Sequence, residues 1–386
     1  YDELISNLKD IEMVGQIGGL LGWDQEVMMP LKAAAIRAEQ LAWISKAGHE
    51  KITNPRIGEL LDELEARNDL DEIQSANIRL ARDSYDKATK LPTEFVSEFA
   101  KHRSKAQFSW MEARSKDDFS IFRDDLAKTV EFTRQKADYL GYDELRYDAL
   151  LDLYESGLNV SRVDPLFAGL RKNVAPLVKA VIEQGKRPDM RFVENNTWKQ
   201  PGQEALSQKV AECIGFDFDA GRRDTSTHPF CGGPNPDDVR WTTRYCETDP
   251  FGSLYGSMHE TGHGLYEQGR PRNFDFQPVG HANGLGVHES QSRLWENQIG
   301  RSLEFCEWVL PLWQENFPEN MQGVTAEDLW RAVNLVEPSL IRVEADEATY
   351  NLHIMIRYEV EKKLIAGDIE VDDLPDVWDD MYEEFL

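Results

Sequence analysis

The amino-acid sequence predicts a mainly α-helical protein with one small β-sheet, and three observations lead to that prediction. Apolar residues recur at spacings of three and four along most of the chain, which is typical of helices that bury one face. A single segment, about Asp224 to Thr248, breaks this pattern with β-branched and aromatic residues. The chain has 386 residues, of which 41% are hydrophobic, and a chain of this size can bury a substantial core.

The first predicted helices lie near the amino end. Helical spacing runs through "AAIRAEQLAWISKAG", "RIGELLDELEAR", "EIQSANIRLARDSYDKATK" and "TEFVSEFAKHRSKAQFSWMEA". The pairs Asn54-Pro55 and Pro92-Thr93 are helix-start signals. No internal repeat, low-complexity segment or linker divides the chain, so we expect one large helical unit.

The predicted sheet follows. The stretches "DTSTHPF" and "VRWTTRY" are separated by "CGGPNPDD", which is rich in Gly, Pro and Asp. This pattern predicts a small hairpin whose loop is the Gly- and Pro-rich stretch. Helical spacing resumes at about Gly252.

Charge and cysteine usage exclude several classes of protein. The net charge of −27 predicts repulsion from nucleic acids and from anionic membranes, so we expect neither as a partner. No apolar run approaches the roughly 20 residues of a membrane span. The four cysteines lack the CxxC spacing of a structural zinc site or a redox pair, which favours a reducing, cytoplasmic compartment.

The pentapeptide HETGH, His259 to His263, follows the predicted sheet. On a helix its two histidines lie about 40° apart on one face, and Glu260 lies about 100° from His259. The two imidazoles can therefore bind one metal ion, with Glu260 placed as a base for a bound water. Gly252 and Gly256 share the histidine face, which predicts close approach of another element or of a substrate. The alternative is a pair of surface or core histidines.

A catalytic zinc site usually has a third protein ligand. In "GLGVHESQSRLWEN" the HES triplet opens a helical pattern, and Glu289 would complete a His2Glu set. His288 and His281 are competing candidates. Glu289 could instead be a partner of the positive helix amino end.

A polar stripe is predicted on the helix "PSLIRVEADEATYNLHIMIRYEVEKKLI". Within a sector of about 100° lie Arg342, Asp346, Thr349, Tyr350, His353 and Arg357. Apolar residues that include Leu340, Ile341 and Val343 fill the rest of the wheel, which predicts a buried helix. We expect the stripe to face a wet internal cleft, with a solvated outer face as the alternative.

Five blocks, in this order, resemble the thermostable (Taq-type) zinc carboxypeptidase family. They are "LLGWDQEVMMP", "DTSTHPF", "HETGHGLYEQG", "GVHESQSRLWENQIGRS" and "PSLIRVEADEATYNLH", and the similarity runs from about Leu20 to the last residue. The resemblance implies a helical fold with a deep active-site cleft and one zinc ion per chain, for which cobalt or manganese can substitute. It also implies a homodimer and removal of single residues from the carboxyl ends of peptides.

The resemblance assigns roles to individual residues. It implies His259, His263 and Glu289 as zinc ligands and Glu260 as the general base. Arg342 is similar to the residue that pairs with the terminal carboxylate of the substrate. The remaining assignments are His228, expected near the scissile bond, and Tyr350 and His353, expected as substrate contacts.

We expect one peptidase domain over residues 1–386, with a lid-like helical part over about 1–200 and the metal site within about 201–386. Family members continue past "VWDDMYEEFL" through a Gly-rich, aromatic segment with a QDxHW pattern, so we expect that segment to be lacking here. Two alternative functions remain. One is a metal-dependent oligopeptidase that cuts internally, and the other is a non-catalytic peptide-binding protein.

Overall fold

The structure is a computed structural model that describes all residues, 1–386, and it is mainly helical. Sixteen α-helices and three strands follow in chain order: α1 (Asp2–Val27), α2 (Ala34–Ile52), α3 (Pro55–Glu65), α4 (Glu72–Thr89), α5 (Thr93–Lys116), α6 (Ser120–Leu140), α7 (Asp148–Leu151), α8 (Val160–Gln184), α9 (Arg191–Glu194), α10 (Gln200–Ile214), β1 (Gly221–Thr225), β2 (Cys231–Asn235), β3 (Asp238–Thr243), α11 (Pro250–Gln268), α12 (Leu285–Arg293), α13 (Leu303–Asn316), α14 (Ala326–Val333), α15 (Glu347–Ala366) and α16 (Leu374–Phe385). The predicted fold class is confirmed. None of the helices has both the length and the apolar character that a bilayer span requires.

The chain forms two compact units. The first comprises Tyr1–Leu150, Gly232–Val239 and Gly269–Asn283, and the second comprises Leu151–Cys231, Arg240–Gln268 and Gly284–Leu386. Every residue to which the family resemblance assigns a role belongs to the second unit. The division into one peptidase domain with a lid-like part over about 1–200, and the cleft itself, stay predictions.

The first unit contains the helices that the amino-terminal spacing predicts. Asn54 begins α3 by accepting a hydrogen bond from the Arg56 amide, and Pro55 occupies the first helical position, where its missing N–H costs nothing. Because α3 is strongly amphipathic, its apolar face packs against α1 and α4. The buried residues of this cluster are Leu4, Ile57, Leu60, Leu61, Leu64, Ile78 and Ala81.

The core of the second unit lies among α10, α11, α13 and α14. Leu254 and Met258 anchor one face of α11 in that core, against the aromatic cluster of Trp198, Trp313 and Phe317. Burial of large aromatic and aliphatic side chains is the main stabilising contribution to such a core. The helix that carries HETGH is therefore held rigidly along a face other than that of the histidines.

The sheet differs from the predicted hairpin. Its strand order is β1-β3-β2, and β2 is the stretch "CGGPN" that the sequence analysis assigned to the loop. An edge strand tolerates Pro, and Gly233 is required there because a Cβ would lie 2.3 Å from the Asp238 carbonyl oxygen. "HPF" lies instead in the connection from β1 to β2, where the Phe230 amide donates to Thr242 Oγ1 at 3.0 Å. The sheet lies beside α11, the helix that carries HETGH, as the sequence predicts, because Ser257 Oγ of α11 lies 3.3 Å from Thr243 Oγ1 of β3.

The helix predicted from Leu340 begins only at Glu347. Asp346 is its N-cap, with Oδ1 accepting from the amides of Ala348 and Thr349. A carboxylate in this position satisfies amides that have no partner within the helix. Arg342 lies before the helix in a short 3-10 turn, and Leu340 is 75% exposed, so the predicted apolar wheel is wrong for this part of the segment.

Candidate metal centre

Close contact between α11 and α12 depends on Gly262, the glycine of HETGH. A Cβ at this position would lie 2.6 Å from the Gln291 carbonyl oxygen and 2.7 Å from Ser292 Cα. The prediction that another element approaches closely at Gly252 and Gly256 is therefore wrong, because the close approach occurs at Gly262. A Cβ at Gly256 would meet nothing within 4 Å, and at Gly252 it would meet the Asp249 side chain.

Three side chains from these two helices bring one ligand atom each to a common point. Glu289 Oε2 lies 3.1 Å from His263 Nε2 and 3.6 Å from His259 Nε2, and all three ligand atoms lie within 4.8 Å of one another. Ligand atoms on a tetrahedron with metal bonds of about 2.1 Å are about 3.4 Å apart. Two imidazoles and one carboxylate at these distances fit a divalent metal ion. The structure thus brings together the three predicted ligands.

Glu289 lies in the second turn of α12, because the helix begins at Leu285, before the HES triplet. Its distance from the amino end disfavours the alternative role as a helix-dipole partner, since that effect is confined to the first turn. Burial alone would raise the pKa of Glu289, but the contact with His263 and the charges of His259 and Arg293 lower it to about 2. The Glu289 carboxylate is therefore ionised, as a metal ligand must be.

His259 is oriented by Glu296, a residue that the sequence analysis missed. The two lie 2.7 Å apart, Nδ1 to Oε2, so Nδ1–H donates to the carboxylate and Nε2 keeps its lone pair for a metal. Arg293 binds Glu296 at 2.9 Å and Glu289 at 3.2 Å. Arg293 and Glu296 lie four and seven residues after Glu289, and this spacing on one helix face is the sequence signal that could have identified them.

His263 is oriented by a second chain of contacts. Its Nδ1 lies 2.5 Å from His288 Nδ1, and His288 Nε2 lies 2.8 Å from Glu267 Oε1. A proton on His288 Nε2 is donated to Glu267, which leaves His288 Nδ1 as the acceptor for His263 Nδ1–H. His288 thus lies behind a predicted ligand. The other competing candidate, His281, binds Glu12 in the first unit.

Glu260, the predicted base, is buried beside these ligands with 6% of its surface exposed. Burial raises its pKa to about 7, with a further contribution from the negative charges of Glu289 and Glu296 and opposition from His259. A carboxyl group with a pKa near neutrality can both accept and release a proton at working pH.

The predicted substrate residues Arg342 and Tyr350 lie together. The guanidinium of Arg342 donates to Tyr350 Oη at 2.5 Å, and the guanidinium of Arg293 lies 3.7 Å from the centre of the Tyr350 ring. Because Arg293 also binds Glu289, this set of contacts connects Arg342 to a predicted metal ligand. Asp346, four residues after Arg342, caps α15 by accepting from the Ala348 and Thr349 amides and forms no ion pair with Arg342.

The last two predicted residues have different surroundings. His353 is fully buried, and its Nδ1 lies 2.9 Å from Tyr382 Oη. His228 is exposed in the connection before β2, where its carbonyl oxygen accepts from Ser226 Oγ at 2.6 Å. The expected catalytic role of His228 near the scissile bond and the expected role of His353 as a substrate contact stay predictions.

The profile of the Carboxypeptidase Taq (M32) metallopeptidase family matches residues 3–386. This chain belongs to the M32 family. It is 40% identical to thermostable carboxypeptidase 1 of Thermus thermophilus and 38% identical to carboxypeptidase 1 of Bacillus subtilis, and it covers 78% and 77% of those proteins while all of this chain is matched. The crystal structure of the M32 carboxypeptidase of Deinococcus radiodurans matches the whole chain with a TM-score of 0.90 at 40% identity, over 77% of that structure.

Family membership establishes the class of chemistry. The chain is a metallocarboxypeptidase, which requires a metal ion and acts on peptides. The predicted enzyme class is confirmed, and the metal requirement agrees with the donor set of His259, His263 and Glu289. All four cysteines of this M32 carboxypeptidase are free thiols.

Proposed function

We propose that this M32 carboxypeptidase releases single amino acids from the carboxyl ends of peptides with one zinc ion held by His259, His263 and Glu289. The observation that carries the proposal is the convergence of these three ligand atoms beside the buried carboxyl group of Glu260. Two neutral imidazoles and one carboxylate are a usual catalytic zinc set, and cobalt or manganese can bind the same donors. When bound there, zinc would polarise the scissile carbonyl and lower the pKa of a water molecule toward neutrality.

Glu260 would act as the general base and then as the general acid. With a pKa of about 7, its carboxylate can take a proton from the attacking water and deliver it to the nitrogen of the departing amino acid. Its burial favours this role, because a buried carboxyl group is shielded from competing solvent protons.

Arg342 would select the last peptide bond by binding the terminal carboxylate of the substrate. A guanidinium presents a planar set of N–H donors that suits a carboxylate. Its bond to Tyr350, which stacks on Arg293, supports this role because it fixes Arg342 relative to the metal ligands. We further propose His228 as a second donor near the scissile bond and Tyr350 and His353 as substrate contacts, as the family resemblance implies.

The proposal extends to the setting of the enzyme. The lack of disulfides among its four cysteines supports a reducing, cytoplasmic compartment. A homodimer is proposed from the family resemblance alone, and light scattering on the purified protein would measure its mass against the 44.3 kDa of one chain.

Mass spectrometry of an amino-blocked peptide tests the proposed reaction. With zinc present we expect a ladder of products that lose one residue at a time, and a chelator should abolish it. The same peptide with an amidated carboxyl end should be cut far more slowly. Internal cuts at equal rates in both peptides would establish the oligopeptidase instead, and zinc-loaded protein that binds the peptide without cutting it would establish the non-catalytic alternative.

A further inference from the structure

Three polar side chains, those of Tyr350, His353 and Arg357, lie along one face of α15. Tyr350 and Arg357 are seven residues apart and point within about 20° of each other, and His353 lies about 60° from Tyr350. Side chains on a helix lean toward its amino end, so the Arg357 guanidinium extends toward the turn that contains His353. This direction leads toward Tyr350, to which Arg342 is bonded.

Neither Arg342 nor Arg357 has an ion-pair partner. Arg342 donates only to Tyr350, and the Arg357 guanidinium lies over the Trp378 ring, 5.0 Å from its centre, with a buried Nε that has no hydrogen-bond partner. Burial first, and then the charge of Arg342, lower the pKa of Arg357, with partial opposition from Tyr382 and Glu361. By contrast, Arg293 is paired with two carboxylates.

His353 adds a further polar atom without a partner, and its imidazole interacts electrostatically with Arg357 and Arg342. His353 is fully buried, and its Nε2 has no hydrogen-bond partner. Its Nδ1 lies 2.9 Å from Tyr382 Oη. When the Tyr382 hydroxyl donates to Nδ1, the imidazole proton is on Nε2, which is then a free donor. The rings of Trp378 and Tyr382 pack against each other in a tilted arrangement, and they contact Arg357 and His353 respectively.

Arg342 and Arg357 are half-buried cations without an ion-pair partner, and His353 Nε2 and Arg357 Nε are buried polar atoms without a hydrogen-bond partner. Such groups are costly unless another group compensates them, and a ligand can do so. We propose that Arg357 and Arg342 together form a two-guanidinium site for a carboxylate group of the substrate, with His353 Nε2 as an additional donor. The inference rests on the proposed function, since it takes Arg342 as the residue that binds a substrate carboxylate. The carboxylate is either the terminal one or the side chain of an acidic last residue, because both present the same two oxygens.

Isothermal titration calorimetry with uncleaved peptides separates these possibilities. The protein is zinc-loaded and carries E260Q, so that peptides bind without turnover. Three amino-blocked probes are compared: Gly-Gly-Ala, its carboxyl-terminal amide, and Gly-Gly-Glu. The added substitutions are R357Q, R342Q and, as a matched control, R331Q, which removes an exposed arginine that is paired with Glu327. Zinc content and thermal unfolding verify that each variant is folded.

We expect R357Q to weaken binding of the free acids about 10- to 100-fold, as loss of a charge-assisted hydrogen bond does, and to leave binding of the amide unchanged. The control R331Q should bind all three probes as tightly as its parent. Equal loss for both acids identifies the terminal carboxylate, and loss for Gly-Gly-Glu alone identifies the acidic side chain. If R357Q binds both acids as tightly as its parent while R342Q does not, the inference is wrong and the proposed function stands. If neither substitution matters, the carboxylate role of Arg342 is wrong as well.

A second substitution covers the case in which R357Q does not fold. R357K keeps the positive charge but loses the planar set of donors, so we expect it to weaken binding of the free acids by at least about threefold. Unchanged binding of both acids by R357K would then overturn the inference.

Discussion

Glu260 differs from the neighbouring carboxylates of Glu289 and Glu296 because no ion pair holds its charge. Glu289 and Glu296 both bind Arg293, whereas Glu260 is buried and has a pKa raised to about 7. Its proton is therefore available for transfer at neutral pH. A carboxyl group with these properties is suited to proton transfer more than to structural support.

Replacing this carboxyl group by an amide, E260Q, should abolish proton transfer while keeping the size of the side chain. We expect kcat to fall about 10²- to 10⁴-fold, as for loss of a general base, with zinc content unchanged. Steady-state kinetics and metal analysis measure the two quantities. The matched control is E327Q, an exposed glutamate of α14, which should retain full activity. A kcat of E260Q close to that of the parent would rule out Glu260 as the base.

Glu267 acts on His263, a proposed metal ligand, through His288. In E267Q the amide does not fix the proton on His288 Nε2 as a carboxylate does. His288 Nδ1 is then no longer fixed as the acceptor for His263 Nδ1–H, so the orientation of the His263 ring is lost. We expect zinc affinity to fall about 10- to 100-fold, as for loss of a partner behind a metal-bound histidine. Competition with a fluorescent chelator measures the affinity, and the absorption spectrum of the cobalt-substituted protein reports ligand geometry. An unchanged affinity and an unchanged spectrum would show that His263 needs no such support.

At the scale of elements, the contact between α11 and α12 sets the distance between the histidines and Glu289. G262A would place a methyl group 2.6 Å from the Gln291 carbonyl oxygen, so the two helices must separate. We expect a loss of about 1–3 kcal/mol in the free energy of unfolding, together with weaker zinc binding.

The matched control for this substitution is G256A on the same helix, where a Cβ meets nothing within 4 Å. Alanine raises helix propensity there, so the free energy of unfolding should be unchanged or rise by about 0.5–1 kcal/mol. Chemical denaturation of the zinc-free proteins measures the free energy of unfolding of both variants. Equal stability of G262A and G256A would contradict the close packing of α11 on α12.

The sequence predicts elements well where one local signal decides them. The Asn54 cap and the apolar spacing define α3, and the HETGH spacing places two imidazoles on one face of α11. The sequence predicts poorly where distant contacts decide. The residues from Leu340 onward have helical apolar spacing, but Asp346 is the N-cap and the helix begins only after it. Glu296 could not be assigned to His259 because that contact exists only once α11 packs against the π-helical turn Leu294–Ile299 that follows α12.

At the scale of the whole molecule, the net charge of −27 acts on every substrate that approaches. We expect kcat/KM for a lysine-rich peptide to fall several-fold when salt rises from about 10 to 500 mM, because salt screens the long-range attraction. A neutral peptide of the same length should change by less than about twofold. Equal salt dependence for both peptides would show that the surface charge does not influence substrate capture.

The central claim is that His259, His263 and Glu289 hold the catalytic metal. The most direct test is an anomalous difference map at the zinc absorption edge, measured from crystals of the zinc-loaded protein. We expect one strong peak per chain, about 2.0–2.2 Å from His259 Nε2, His263 Nε2 and a carboxylate oxygen of Glu289. A peak at any other set of side chains, or a peak bound through His288 in place of Glu289, would contradict the claim.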